Sequence, residues 1–405
     1  MLLTSPRSIY ACFDRFPTRK GASTHIARFA PCLFDYTNGG LLYCLGDATL
    51  PVHQLEGNIE VLRFARPIQN FLQRALAFGA ELGRVLEANG QRLQLAQFRD
   101  PWSGVPLLTQ APHCPALYEV NALPSIELAQ VFPSLSARTL EKIRVDERLC
   151  LDLCTAIVTP SATTRALLQQ LGVPASKITV IPNGADLCEP VQRPTAAPTE
   201  YVIYFGAMQR WQGVDTLLRA FVRLADLPDL RLVLCASERT RDTRRLERFA
   251  ERLGLSARIQ WHYRLDAREL SAWVQHAAVS VAPLQDCARN ALQGCAPLKI
   301  LESMASGVPV IASDLASVRE LIRDGVDGRL VAADRPEELA RMIRVLLAYP
   351  EHRAELGRNA RERIARELTW SASLEQLTAV YRTVGAAESG TSLWPTARAA
   401  AALEG

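Results

Sequence analysis

Apolar positions along this chain fall into short unbroken runs separated by longer stretches with helical spacing. "RSIYACFD" (Arg7 to Asp14) predicts a buried strand, the polar loop "RFPTRKGAS" follows, and "THIARFAPCLF" predicts a helix. Gly40 to Gly46 and Asn58 to Phe64 predict two more strands. From Ile68 to Leu95 the spacing is helical, with Phe71, Leu72, Leu76, Leu82, Val85 and Leu86 on overlapping faces. Ala116 to Ala122 reads as a strand that empties into the loop "NALPS". A long helix over about 136–153, the strand "AIVTPS", the helix "ATTRALLQQLG" and the strand and turn "KITVIPNGAD" complete the first half. Strands alternating with helices predict mainly parallel sheets with helices on both faces.

The pattern then stops and starts again. Glu189 to Glu200, "EPVQRPTAAPTE", has three prolines and no apolar periodicity. Such a stretch marks a domain boundary. After it come strands at "YVIYFGAM", "LRLVLCA", "RIQWHYR", "VSVAPLQ" and "VPVIASD". Helices lie between them, including "ASVRELIRDG", and a short strand "DGRLV" and a helical pair follow. The expected division is a first domain over 1–190, a linker over 191–200, a second domain over 201–368, a helix over 369–385 and a disordered tail over 386–405. Two doubly wound α/β domains joined this way place a cleft at the carboxyl ends of both sheets.

Composition narrows the class. The chain has 405 residues, enough for two cores. A net charge of +4 implies no nucleic-acid stripe. Charges interrupt every apolar stretch well before the roughly 18 residues of a membrane span, and the start lacks the features of a secretory leader. The ten cysteines show no close C-x-x-C pairing, which fits reduced thiols in the cytoplasm. The six histidines form no metal-ligand motif, and no bound metal is expected. The helix over 68–95 carries apolar and basic positions that suit either the inner face of a membrane or packing on its own sheet.

Three loops carry candidate chemistry. Gly21, Ala22 and Ser23 precede a helix, where small residues let an anion approach backbone N–H groups. In "YFGAMQRWQGVD", Gly206 ends a strand and Arg210 is positioned to reach an anionic group at the cleft. Trp211 flanks it or covers the core. The third loop is "GCAPLKILESMASGVPVIASD". Gly294, Cys295, Ala296, Pro297 and Leu298 lead into a helix whose free N–H groups suit a diphosphate. Lys299 in its first turn opposes the helix dipole, so phosphate neutralisation explains it better than helix stability. Glu302 falls on the same face, and its carboxylate can accept paired hydroxyl hydrogen bonds.

These segments resemble glycosyltransferase family 4, retaining enzymes of the GT-B fold, over about 8–384. The most specific match is "PLKILESMASGVPVIASDLASVRELI", supported by "VTPSATTRALLQQLGV", "KITVIPNGAD" and "GVDTLLRAF". The resemblance implies a nucleoside-diphosphate sugar, a UDP- or GDP-sugar, as co-substrate, held mainly by the second domain, with no tightly bound cofactor. It implies transfer to a hydroxyl on a saccharide, lipid-linked or small-molecule acceptor held by the first domain, with no metal and the leaving phosphate assisting deprotonation. On this basis Lys299 binds the diphosphate, Glu302 holds the ribose, and Gly21 to Ser23 sit by the phosphates. The final helix returns to the first domain, and Pro182 to Asp186 lie near the cleft.

Four positions depart from the family pattern. The first glutamate of E-x7-E is Gly294, the arginine after the strand glycine is Ala207, and the lysine before "GVD" is Gln212. Arg210 is expected to replace part of that basic pair. The frequent histidine of the first domain is Asn121, which joins His25, Arg99 and Glu119 as acceptor-side candidates, and Asn121 with Lys299 and Arg210 as catalytic ones. The rival readings are an epimerase or hydrolase of the same fold, and a nucleotide-sugar-binding partner without catalysis.

Overall fold

A computed structural model describes residues 6–386, so the expected tail from 387 onward lies outside the described residues. Two parallel-sheet domains face each other. The first sheet contains β1 (Ser8–Arg15), β2 (Gly40–Leu45), β3 (His53–Glu56), β4 (Ile59–Phe64), β5 (Leu95–Phe98), β6 (Ala116–Glu119), β7 (Ala156–Thr159) and β8 (Ile178–Val180). Their spatial order is β3-β4-β2-β1-β5-β6-β7-β8, and every pairing is parallel except β3 with β4. The second sheet contains β9 (Tyr201–Gly206), β10 (Arg231–Ala236), β11 (Ile259–Tyr263), β12 (Val279–Ala282), β13 (Val310–Ser313) and β14 (Arg329–Val331). It is wholly parallel in the order β11-β10-β9-β12-β13-β14.

Both sheets reverse direction of growth at their first strand. β1 sits between β2 and β5, and β9 between β10 and β12. A crevice forms outside the carboxyl end at such a switch point, so Asp14 and Gly206 stand where ligands collect. The apolar runs explain why these strands are central. Tyr10 of β1 and Tyr201 and Tyr204 of β9 are wholly buried, as strands covered on both faces require.

Several elements differ from the sequence expectation. The helix expected to reach Leu95 covers Phe71–Asn89, and Leu95 begins β5. Asn70 caps its start by accepting from the Gln73 N–H at 3.0 Å. Its buried residues Ala75, Phe78, Leu82 and Leu86 belong to the first domain's own core. The helix expected over "ASVRELIRDG" covers only Ala316–Arg319. Beyond it Arg363 Nη1 donates to the Leu321 carbonyl at 2.7 Å, and Asp327 accepts from the Arg323 N–H at 2.7 Å. These side chains take backbone groups that a continued helix needs for itself.

The helix Trp370–Ala386 packs Trp370, Leu377 and Tyr381 against Tyr10, Phe29 and Leu33 of the first domain. Its Tyr381 hydroxyl donates to Gln97 Oε1 at 2.5 Å. Among the described residues no helix is long and apolar enough to cross a membrane, and all ten cysteines are free.

Candidate active site

A cleft of about 850 Å³ separates the carboxyl ends of the two sheets and takes its walls from both domains. On the second domain, β9 ends at Gly206 with φ of +109°, a conformation L side chains rarely adopt. The open space there is filled by Lys299, whose Nζ would lie 3.7 Å from a Cβ at Gly206. Lys299 stands in the first turn of the Leu298–Ala305 helix, which has no acidic residue in that turn and no side-chain cap. The helix mouth therefore keeps its positive end for a ligand. Lys299 Nζ donates to the Tyr204 hydroxyl and to Gln212 Oε1, both at 2.7 Å, and lies 4.0 Å from the Tyr204 ring centroid. Glu302 lines the cleft one turn further along. Burial pulls the Lys299 ammonium down to about 7, against the opposing pull of Glu302. Burial also pushes the Glu302 carboxyl up to about 7, with Lys299 opposing it. The pair is poised to change charge near neutrality when an anion or a hydroxyl arrives.

The first domain builds its side around one carboxylate. Glu119, at the end of β6, is almost wholly buried. Its Oε2 accepts from the Tyr10 hydroxyl at 2.6 Å and from Gln97 Nε2 at 2.9 Å. Its Oε1 accepts from Asn121 Nδ2 and lies 2.8 Å from Arg99 Nε and 3.1 Å from His25 Nδ1. Burial works against the Glu119 charge, but its contacts with His25, Arg99, Tyr10 and Gln97 together outweigh it and hold the carboxyl below its usual range. Burial lowers His25 to about 4, so its ring is neutral at pH 7. Arg99 spans the cleft wall, donating to Asp14 Oδ2 at 2.9 Å and to the Ala22 carbonyl at 3.4 Å.

The cleft collects most of the residues singled out from the sequence. Gly21, Ala22, His25, Arg99, Asn121, Gly206, Cys295, Ala296, Pro297, Leu298, Lys299 and Glu302 all line it. Four do not. Ser23 is buried in its own loop, where its hydroxyl accepts from the Thr18 N–H at 2.8 Å. Glu119 stands behind His25, Arg99 and Asn121 and holds them in place. Arg210 is exposed and absent from the cleft wall, since the short turn Arg210–Gln212 points it outward. Gly294 is buried against the first domain, and a Cβ there would meet Thr163 Cβ at 3.0 Å.

Sequence reasoning missed Arg289. It lines the cleft, its Nε donates to Glu127 Oε1 at 2.7 Å across the domain boundary, and its guanidinium lies 5.1 Å from the Trp211 ring centroid. The signal, an arginine between strand β12 and the glycine at 294, is weak because the turn that carries it is a single π-helical turn, Ala288–Leu292. Beside it, Gln293 Oε1 accepts from the Leu123 N–H at 2.7 Å, and Asn183 Nδ2 donates to the Ala296 carbonyl at 3.0 Å.

Comparison with known proteins decides the family. The family model for glycosyl transferases group 1 matches residues 190–363, and that for Glycosyltransferase Family 4 matches residues 20–189. The chain belongs to glycosyltransferase family 4. It is 28% identical over 258 residues to a D-inositol 3-phosphate glycosyltransferase of Nocardiopsis dassonvillei, covering 60% of this chain and 58% of that relative. The chain thus spans somewhat under two thirds of the curated relative it matches. Among solved structures, sucrose-phosphate synthase from Thermosynechococcus elongatus superposes with a TM-score of 0.76 at 20% identity, covering 94% of this chain and 100% of that one. HepE from Anabaena, in complex with UDP-glucose, superposes with a TM-score of 0.72 at 17% identity, covering 93% and 99%. These superpositions place the chain in the GT-B fold.

Two of the departures from the family pattern have local causes. Gly294 has φ of +85°, which L side chains rarely adopt, and a Cβ there would sit 3.0 Å from Thr163 Cβ and 3.2 Å from Ser161 Oγ, so a glutamate would strain the backbone and crowd the first domain. Gln212 keeps its amide oxygen on Lys299, so this family member carries a hydrogen-bond acceptor where a second cation is usual.

Proposed function

We propose that this protein transfers a glycosyl group from a nucleoside-diphosphate sugar to an acceptor hydroxyl, with retention at the anomeric carbon and without a metal ion. The observation that carries the reading is Lys299 and Glu302 on one helix mouth, facing His25, Arg99 and Asn121 across a cleft shared by both domains. The family assignment supports the transfer, and the UDP-glucose bound by HepE supports a donor of that class.

In this reading the diphosphate lies at the mouth of the Leu298–Ala305 helix. The anomeric C–O bond to the diphosphate breaks, and negative charge grows on the leaving oxygen. Lys299 and the helix N–H groups stabilise that charge, which a preorganised, partly desolvated site does effectively. The acceptor oxygen forms its bond on the face the diphosphate leaves, and its proton passes to the departing phosphate. Glu302 accepts hydroxyl hydrogen bonds from the ribose. His25 is neutral, so it offers one ring nitrogen as a hydrogen-bonding group without adding charge. Arg99 and Asn121, both held by Glu119, orient the acceptor.

The test is a screen of UDP- and GDP-sugars by calorimetry, then incubation with acceptors and mass and NMR analysis of the products after exhaustive chelation. A new glycoside with the donor's anomeric configuration is the expected product. Donor turnover that never depends on an acceptor, or activity that needs one stoichiometric metal ion, contradicts the reading.

A further inference from the structure

The acceptor side of the cleft carries an apolar wall that sugar-donor chemistry does not use. Phe13, Phe71, Trp102 and Phe132 form a continuous chain of rings lining it. Phe71 meets Phe132 at 5.8 Å, Trp102 at 5.4 Å and Phe13 at 5.4 Å between centroids, and Phe13 meets Trp102 at 5.1 Å. The planes cross at 78° for Phe71 with Trp102 and 88° for Phe13 with Phe71. Such edge-to-face packing fuses the rings into one apolar surface and does not present a single bare face for stacking one sugar.

Two features mark the wall as built for a ligand. Phe132 is 38% exposed and Val131 44%, and both line the cleft. Phe132 is the only exposed phenylalanine among the described residues, and the other exposed large apolar side chains apart from Val131 lie outside the cleft. Two charged side chains beside the wall already have partners. Arg74 donates to the Ile68 carbonyl at 3.0 Å and lies 5.9 Å from the Phe13 and Phe71 ring centroids. Glu127 is held by Arg289. A bare polyol would find few free partners there and would bury its hydroxyls against hydrocarbon, which is unfavourable.

We infer that the acceptor carries an apolar group, alkyl or aryl, next to its reacting hydroxyl, and that this group lies on the wall formed by Phe71, Trp102, Phe132 and Val131. This rests on the reading of the cleft as a glycosyl-transfer site. Among the saccharide, lipid-linked and small-molecule acceptors that the family resemblance allows, it selects those that carry an apolar group.

Calorimetry on the full chain, with and without UDP, measures binding of methyl, octyl and phenyl glycosides of glucose, mannose and N-acetylglucosamine, each below its aggregation concentration. For at least one sugar the octyl or phenyl glycoside is expected to bind about tenfold tighter than the methyl glycoside, as burial of a few methylenes or a ring implies. Preference for octyl alone points to an alkyl acceptor, and for phenyl alone to an aryl one; both support the inference. Phe132→Ser, at a partly exposed site, is expected to remove most of that preference while its melting temperature, measured alongside, stays close to wild type. Equal affinity of methyl and apolar glycosides across all three sugars, or a preference unchanged in Phe132→Ser, overturns it in favour of a bare saccharide acceptor or nonspecific adsorption. UDP affinity, measured in the same titrations, reports separately on the transfer reading: UDP bound without an apolar preference overturns only this inference.

Discussion

The two walls of the cleft hold their charges in opposite ways. On the first domain the buried charges of the wall are paired within the protein: Glu119 gathers Arg99, His25, Asn121, Tyr10 and Gln97, and Asp14 takes the far end of Arg99. On the second domain Lys299 rests on a phenol and an amide, and both it and Glu302 are drawn to about 7 by burial. The first wall is complete without a ligand and serves to position. The second is electrostatically unfinished, and an arriving diphosphate supplies what it lacks.

The largest effect should come from breaking the finished side. Glu119→Gln leaves Arg99 buried without its principal counter-charge. A loss of about 3–5 kcal/mol in stability is expected, read as a lower denaturant midpoint, while UDP affinity of the protein that remains folded changes little. A variant with wild-type stability would show that Glu119 is not the anchor of that wall.

Breaking the unfinished side should spare the fold. Lys299→Met is expected to cost about 3 kcal/mol of transition-state stabilisation, roughly a hundredfold in kcat/KM. Its melting temperature should hold or rise, because a poorly solvated amine is replaced by an apolar side chain. Catalytic rate and thermal melting, measured side by side, separate this outcome from a folding defect.

A smaller effect is expected at Glu302. Glu302→Gln keeps an acceptor oxygen but loses the charge, so donor KM should rise by about 1–2 kcal/mol in binding terms while acceptor KM stays put. Equal shifts in both constants would remove Glu302 from the ribose. The smallest effect belongs to Arg210, which is exposed and outside the cleft wall. Arg210→Ala should leave UDP affinity within about twofold of wild type, and a tenfold loss would mean the loop turns inward when donor binds.

Legibility in the sequence follows the same division. The second wall is local: a glycine ending a strand, and a lysine and a glutamate one turn apart on one helix, all visible as spacing. The first wall is assembled from the ends of β1, β5 and β6 and from the His25 helix, with Tyr381 arriving from the far end of the chain. Residue spacing named His25, Arg99, Glu119 and Asn121 but not that Glu119 stands behind the other three. β5 is hard to read because its four residues follow the polar turn Gly90–Arg92 too closely to show a period of their own, and pairing with β1 and β6 makes them a strand. Arg210 and Gly294 show the complementary limit. Their sequence positions sit correctly in the loops, but the outward turn of one and the contact of the other with Thr163 depend on backbone geometry and on the opposite domain.

The central claim is that Lys299, drawn down toward neutrality by burial, gains its full charge when a diphosphate arrives. Its pKa of about 7 lies below the usual lysine range, so at pH 8 the free protein holds it mostly deprotonated. A bound anion favours the ammonium, so binding must take up a proton and affinity must fall as pH rises above 7. Calorimetry of UDP binding at pH 8 in buffers of different ionisation enthalpy measures that proton directly. The account predicts uptake approaching about one proton in the wild type and none in Lys299→Met, with much weaker binding in the variant. Equal UDP affinity in both proteins, with no difference in proton uptake, would contradict it.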